Sequence, residues 1–332
     1  MILTGTGIIR GVGNEVSYNV VALVGGSIFV DPTASPILSN DGVNWLTTTS
    51  VSTPTIWPVN WLLYSIGYSK FVMCAGKTGK CGWSYSSDGR SWTKSSTVTT
   101  REQLSLIEGN NKTIPLIYKL ISLANGYSRY STDGGATWSA ETSYSPIHVP
   151  STGGGGWNED AGLYISAGSG TNRVMYSADG SNWTGLTVGT QNFIGNVYFS
   201  GSSPAPRKSM IVANGSMYYG DGVTWTAGTL SGDSASISTI AYSPTLNKAI
   251  ATTSNSTTGY VSSGISNLVG IANLFPVVFA KIIWSTALSK WIAFAHTSSS
   301  AVYTSSTGLA GSWTNVYAMN DINRPYSKAA SK

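Results

Sequence analysis

Tyr85-Ser86-Ser87-Asp88-Gly89-Arg90-Ser91-Trp92-Thr93 decides the fold, because the chain repeats it at a steady interval. It returns as Tyr130-Ser131-Thr132-Asp133-Gly134-Gly135-Ala136-Thr137-Trp138 and as Tyr176-Ser177-Ala178-Asp179-Gly180-Ser181-Asn182-Trp183-Thr184. Looser copies run Leu38–Trp45 and Tyr218–Thr226, and an eroded one runs Tyr303–Gly308 and then Ser312-Trp313-Thr314. The motif tryptophans Trp45, Trp92, Trp138, Trp183, Trp225 and Trp313 are 47, 46, 45, 42 and 88 residues apart. The last gap is close to two periods, so a decayed copy is expected near Tyr260-Val261-Ser262-Ser263-Gly264. Repeats of roughly 40–50 residues with one hairpin signature each predict a β-propeller. The expectation is an all-β chain of seven blades, each a four-stranded antiparallel sheet. Gly, Ser, Thr, Trp and Tyr dominate the repeat, and no long stretch shows apolar spacing of period 3.6, which excludes helical arrays.

Each residue of the motif has a physical task. A strand ends at Tyr-Ser. The Asp carboxylate can accept backbone N–H groups of the turn, and Gly takes a positive φ without a Cβ clash. The next strand starts at Trp, whose ring is large enough to wedge between neighbouring blades. On these residues the chain resembles the Asp-box, or bacterial neuraminidase repeat, family, whose pattern is Ser/Thr-x-Asp-x-Gly-x-Thr-Trp. Ser131–Trp138 matches at every fixed position, and the other clear copies are one residue shorter. The resemblance implies that the box lies on the hairpin between third and fourth strands, away from the ligand face. Asp41, Asp88, Asp133, Asp179 and Asp221, with their tryptophans, are therefore expected to be structural.

At 332 residues the ring takes up almost the whole chain as one domain. Residues 1–13 read as an N-terminal segment, 14–318 as seven blades and 319–332 as a short polar tail. Blade one is expected to pair Val20–Val24 with Ser27–Val30 across Gly25-Gly26. Blade two reads as Trp61–Ile66, Phe71–Ala75, Cys81–Ser86 and Ser91–Ser96. The rest follow at roughly 101–142, 155–188, 191–230, 235–271 and 276–318, with Gly153–Gly156 as a flexible entry to blade four. Either terminus could complete the ring.

Charge is +5, yet Lys and Arg are scattered, without the basic, aromatic-laced run that nucleic-acid binding favours. No apolar run is long enough to span a bilayer, and Met1–Arg10 lacks a basic segment followed by an apolar core, so no signal peptide is read. A weaker repeat aligns Leu63–Val72, Ala241–Ile250 and Ile283–Ile292 as the hairpin joining first and second strands. It puts Lys70, Lys208, Lys248 and Lys290 on the face that carries the boxes. Such lysines keep edges soluble, and they could also dock an acidic partner. Cys74 and Cys81 fall on facing strands of blade two. Their spacing is no metal signature; two buried free thiols are expected, with a cross-strand disulfide as the alternative.

Sialidases share the box, and that likeness implies an arginine triad, a Tyr–Glu pair and an Asp acid/base. None of the seven arginines sits in the Phe/Tyr-Arg-Ile-Pro motif of the triad's first member. Beyond the boxes, Glu102, Glu108 and Glu141 are the carboxylates to consider, and no pair of them reads as an acid and its partner. His148 and His296 lack any serine or cysteine motif beside them. The expectation is no enzyme, no metal and no cofactor. Loops on the face opposite the boxes carry aromatic candidates for ligand binding: Trp57, His148, Trp157 and Phe193. The alternative is that such rings pack between blades. The whole resembles propellers of tailed-phage virions, which implies a tail, fibre or capsid-surface component made in the host cytoplasm. Its partners would be other virion proteins or a host-surface glycan or receptor, with neither nucleic acid nor membrane insertion, and self-association is left open. A glycan-binding lectin and a sialidase-like glycoside hydrolase are the alternatives.

Overall fold

A computed structural model describes residues 20–24, 35–47, 59–77, 80–110, 118–144, 149–199, 208–232, 236–262, 264–296, 301–318 and 326–331. The strands form six four-stranded sheets and one of five. Within each four-stranded sheet every pairing is antiparallel. The second sheet shows the plan: Val59–Ser65, Lys70–Lys77, Lys80–Ser86 and Thr93–Thr99 follow one another from inside to outside. The third begins with Gln103–Asn110, the fourth with Val149–Asn158, the fifth with Phe193–Phe199 and the seventh with Phe279–Ser285. In the sixth sheet Ile237–Ser243 is innermost, and Thr229–Ser231 runs parallel to Asn267–Ile271 as a fifth, outermost strand. It covers an edge that would otherwise present unpaired backbone groups.

The first sheet departs from expectation. Val20–Val24 pairs with Ser35–Ser39 on one side and with Tyr326–Ser331 on the other. The proposed partner Ser27–Val30 lies outside the described residues, and the segment read as a polar tail supplies the innermost strand. The ladder requires this, because an inner strand in every other sheet precedes its neighbour in the chain and here only the C-terminal segment pairs there. Innermost strands neighbour one another in the order first sheet to seventh, and the seventh lies again beside Tyr326–Ser331. The arrangement is a β-propeller with four-stranded antiparallel blades.

Gly153–Gly156 is also not a loop: it lies inside the strand Val149–Asn158. The reason is close approach. A Cβ on Gly155 would stand 2.6 Å from Ile107 and Ser105 of the third sheet. The decayed repeat falls where it was placed, with Gly259–Val261 as third strand and Asn267–Ile271 as fourth. There the Ser262 hydroxyl accepts the N–H of Ala249 at 2.8 Å.

The core consists of the seams between sheets. Trp138 packs with Val72, Cys74 and Trp83 of the preceding sheet, its ring stacked 4.7 Å from Trp83. Trp183 packs on Ile107, Ile121 and Leu123, and Trp225 packs against Ile165, Ala167 and Val174. Trp45 meets Phe294 of the seventh sheet edge-on at 5.9 Å. Each such seam removes large aromatic and branched surface from water, the main favourable contribution to folding.

Candidate functional site

The five aspartate turns share one hydrogen-bond plan. In the first, Asp41 Oδ1 accepts the N–H groups of Val43 and Asn44 at 2.8 and 2.7 Å, and Oδ2 accepts the Asn44 amide at 2.6 Å. Ser39 donates its hydroxyl to the carboxylate at 3.2 Å and accepts Gly42 N–H at 2.8 Å. Ser86 and Asp88 repeat this, as do Ser131 with Asp133 and Ser177 with Asp179. Asp221 keeps the two N–H contacts at 2.9 and 2.7 Å although Gly220 stands where the serine would be. The tryptophan ends each turn by folding back. Its indole N–H donates to the turn glycine's carbonyl, from Trp45 to Gly42, Trp92 to Gly89, Trp138 to Gly135, Trp183 to Gly180 and Trp225 to Gly222, at 2.9 to 3.2 Å.

These donors stabilise the carboxylate form. The Asn44 N–H above all holds Asp41 down to about 2. Burial pushes Asp179 up, but the N–H groups of Asn182 and Ser181 outweigh it and set that group at about 2 as well. Asp88 and Asp133 also lie below the ordinary value for the same reason. Carboxylates held this way stay ionised near neutral pH.

Several turn glycines also press on the sheet before them. A Cβ on Gly180 would stand 2.1 Å from Ile121 Cδ1, one on Gly222 2.9 Å from Ile165, and one on Gly308 2.2 Å from Ile250. Two residues before the first and last of these isoleucines sit Lys119 and Lys248. They donate to turn carbonyls of the next sheet, Lys119 Nζ to Asp179 O at 2.7 Å and Lys248 Nζ to Thr307 O at 3.3 Å. The Lys70 stem lies against Gly134 in the same manner. These lysines therefore lie beside the repeat turns and, in the case of Lys119 and Lys248, bridge adjacent sheets. The hairpins that lead into Lys70, Lys248 and Lys290 share a plan too: Ser65, Ser243 and Ser285 accept the N–H of Tyr68, Leu246 and Leu288, and Ser69, Asn247 and Ser289 take positive φ.

The remaining acid candidates join sheets. Both Glu108 oxygens serve the neighbouring hairpin, accepting the Ser65 hydroxyl and the N–H groups of Ile66 and Gly67 at 2.9 and 3.1 Å. Burial nonetheless pushes its carboxyl above the usual range. Glu141 accepts Thr99 at 2.8 Å and forms ion pairs with Arg101 and Arg129, each at 3.2 Å. Burial raises it, but the Thr99 hydroxyl and the two guanidinium groups bring it below the usual value. Arg101 also lies 3.6 Å over the Tyr127 ring.

Of the aromatic candidates, Trp57 and His148 lie outside the described residues. Phe193 does not face a ligand: it is 1% exposed and meets Tyr218 edge-on at 5.8 Å. Trp157 is wedged between third and fourth sheets, 4.7 Å from the Tyr164 ring and where a Cβ on Gly109 would meet it at 2.5 Å. Both corrections have one cause, since inner-strand aromatics of a propeller fall on the narrow side of the seams. Cys74 and Cys81 are buried and not joined in a disulfide; they sit opposite Trp83 and Gly76 and not opposite each other. Among the described residues no group of three or more His, Cys, Asp or Glu could hold a metal, and no helix is long and apolar enough to cross a membrane.

No protein-family model matches the chain, and no curated protein does. Solved structures do match. A protein from Lactobacillus plantarum superimposes with a TM-score of 0.67 at 10% identity, over 94% of this chain and 98% of that one. YCF48 bound to D1 peptide matches at 0.54 and 13% identity, over 84% and 90%. A GH74 enzyme of Niastella koreensis matches at 0.57 and 14% identity, over 90% of this chain and 54% of the other. Identities this low establish a shared architecture, and the architecture is that of a β-propeller.

Proposed function

We propose that this chain is a non-enzymatic recognition or assembly module, a seven-bladed Asp-box propeller serving as a tail, fibre or capsid-surface component of a tailed-phage virion. The count of seven takes the five-stranded sheet as a blade with an added edge strand, and the circular adjacency of the seven innermost strands supports it. The observation that carries the functional reading is the employment of Glu108, Glu141, Arg101, Arg129 and the five turn aspartates as fasteners between or within sheets. Acids and bases so engaged serve rigidity, and rigidity suits a surface that must present fixed loops to a partner. The virion placement leans on composition, a chain only 10% charged and rich in Gly, Ser and Thr. A similarly sized propeller described as bound to a peptide is a precedent for polypeptide recognition on this architecture.

The test applies labelled protein to bacterial cells and to a panel of purified surface glycans, with free sugars assayed in the same wells. Saturable binding to cells with no sugar released is the expected result. Sugar release would overturn the reading in favour of a glycoside hydrolase. Binding confined to one purified glycan would replace the assembly role with that of a lectin.

A further inference from the structure

The seam between the second and third sheets is hydrogen-bonded along its whole length. At its inner end the Glu108 carboxylate of the third sheet takes all its donors from one hairpin of the second, the Ser65 hydroxyl and the N–H groups of Ile66 and Gly67. The same hairpin reaches on, with the Tyr68 hydroxyl donating to the Tyr118 carbonyl. In the middle Trp83 Nε1 donates to Ser122 Oγ at 2.9 Å, Ser122 donates to Gln103 Oε1 at 2.7 Å, and Gln103 Nε2 donates to Arg101 O at 3.1 Å. Further out the Ala136 carbonyl accepts Ser96 N–H at 3.1 Å and the Ser95 hydroxyl at 2.9 Å, and Thr97 Oγ1 accepts Trp138 N–H at 2.9 Å. Glu141 closes the row. It accepts the Thr99 hydroxyl of the second sheet and pairs both with Arg101, on the crossing between the sheets, and with Arg129 of the third.

The next seam, between third and fourth sheets, leans on apolar packing instead. Trp183 lies on Ile107, Ile121 and Leu123, and Trp157 on Tyr164. Lys119 ties it at one end, donating Nζ to Asp179 O at 2.7 Å while its carbonyl accepts the Tyr164 hydroxyl at 3.5 Å. The difference matters because apolar contact has no direction and tolerates sliding, whereas a hydrogen bond weakens steeply once it is bent. Ser65, Trp83, Gln103 and Ser122 are all buried, so a shift of one sheet against the other would strand their polar groups away from water. A buried polar network whose members are satisfied rigidifies what it joins.

We infer that the second and third sheets form one rigid unit of the ring, which opens as a single body, so that the ring parts between third and fourth sheets before it parts between second and third. A load or a partner acting on either sheet is then carried by both. The inference does not depend on the assembly reading, since it concerns how the ring moves and not what it binds.

The test follows hydrogen exchange of the full chain by mass spectrometry in rising urea below the unfolding transition. It reads the second strands of three successive sheets, Lys70–Lys77, Tyr118–Ala124 and Leu163–Ser169. Amides that open together share one urea dependence. The expected result is one shared opening for the first two strands and a separate, easier one for the third. Glu108→Gln combined with Glu141→Gln should split the shared opening, with exchange in Tyr118–Ala124 about tenfold or more faster than in Lys70–Lys77, on the scale of one net hydrogen bond. Lys119→Met, which loosens the other seam, should leave the two strands together. Separate openings of the second and third sheets in the wild type, a single opening of all three, or a shared opening that survives the double change overturns the inference. The wild-type profile decides by itself if the double variant does not fold.

Discussion

Gly180 and Gly215 have the same backbone conformation, φ +74, in very different surroundings. A Cβ on Gly180 would meet Ile121 Cδ1 at 2.1 Å and Cγ1 at 2.8 Å, whereas one on Gly215, in the turn between Lys208–Ala213 and Ser216–Gly220, meets nothing within 4 Å. Alanine at either position takes the left-handed penalty of about 1 to 2 kcal/mol. The change in unfolded-chain entropy is shared, so it cancels between the two. Only Gly180→Ala also forces the fourth sheet's turn off the third sheet, at the cost of overpacking, about 1 to 3 kcal/mol. Urea unfolding followed by tryptophan fluorescence should therefore place Gly180→Ala about 1 to 3 kcal/mol below Gly215→Ala. Ile121→Val removes the Cδ1 atom at a cost of about 0.5 to 1.5 kcal/mol alone. Combined with Gly180→Ala it should return about 1 kcal/mol or more of coupling, since the two groups touch. Equal losses for the two alanines, with no coupling to Ile121, would refute the claim that turn glycines seat each sheet on the one before.

Acid should loosen the ring in a defined window. Asp41 and Asp179 titrate near 2 in the folded chain against an ordinary 3.8, and Asp88, Asp133 and Glu141 are lowered as well. Their stabilisation is complete above the unfolded values and is lost as pH falls through the folded ones. Melting temperature should thus drop steeply from about pH 4 to pH 2, and less steeply in Asp179→Asn; a flat profile there would contradict the turn geometry. Glu108→Ala removes the acceptor for Ser65, Ile66 and Gly67 and should cost about 1 to 3 kcal/mol in urea unfolding, whereas a neutral outcome would show that the seam does not rely on it. Thiol titration should find Cys74 and Cys81 slow to react when folded and both reactive in urea without reductant; a mass shift for one disulfide would contradict this.

Much of the fold was legible because its signal is local. Ser39-x-Asp41-Gly42 writes its turn within four residues, as do the copies at Ser86 and Ser177, so spacing alone located even the decayed hairpin after Gly259–Val261. What escaped is what joins residues far apart. Tyr326–Ser331 looked like a tail because its role is visible only beside Val20–Val24, some three hundred positions away. Gly153–Gly156 looked like a linker because glycine marks both flexibility and close approach, and only Ile107 and Ser105 across the seam decide between them. Lys119 fell outside the hairpin alignment, yet it reaches the Asp179 turn as Lys248 reaches Thr307. Phe193 read as a loop aromatic and is a core residue, 1% exposed.

The central structural claim is a closed ring in which each sheet leans on its neighbours, and removal of residues 326–332 tests it most directly. Hydrogen exchange should show Val20–Val24 strongly protected in the full chain, bonded on both sides. In the shortened chain that protection should collapse, with a lowered unfolding midpoint that spreads to the second and seventh sheets flanking the gap. Unchanged protection of Val20–Val24 and an unchanged midpoint would contradict closure by the C-terminal strand.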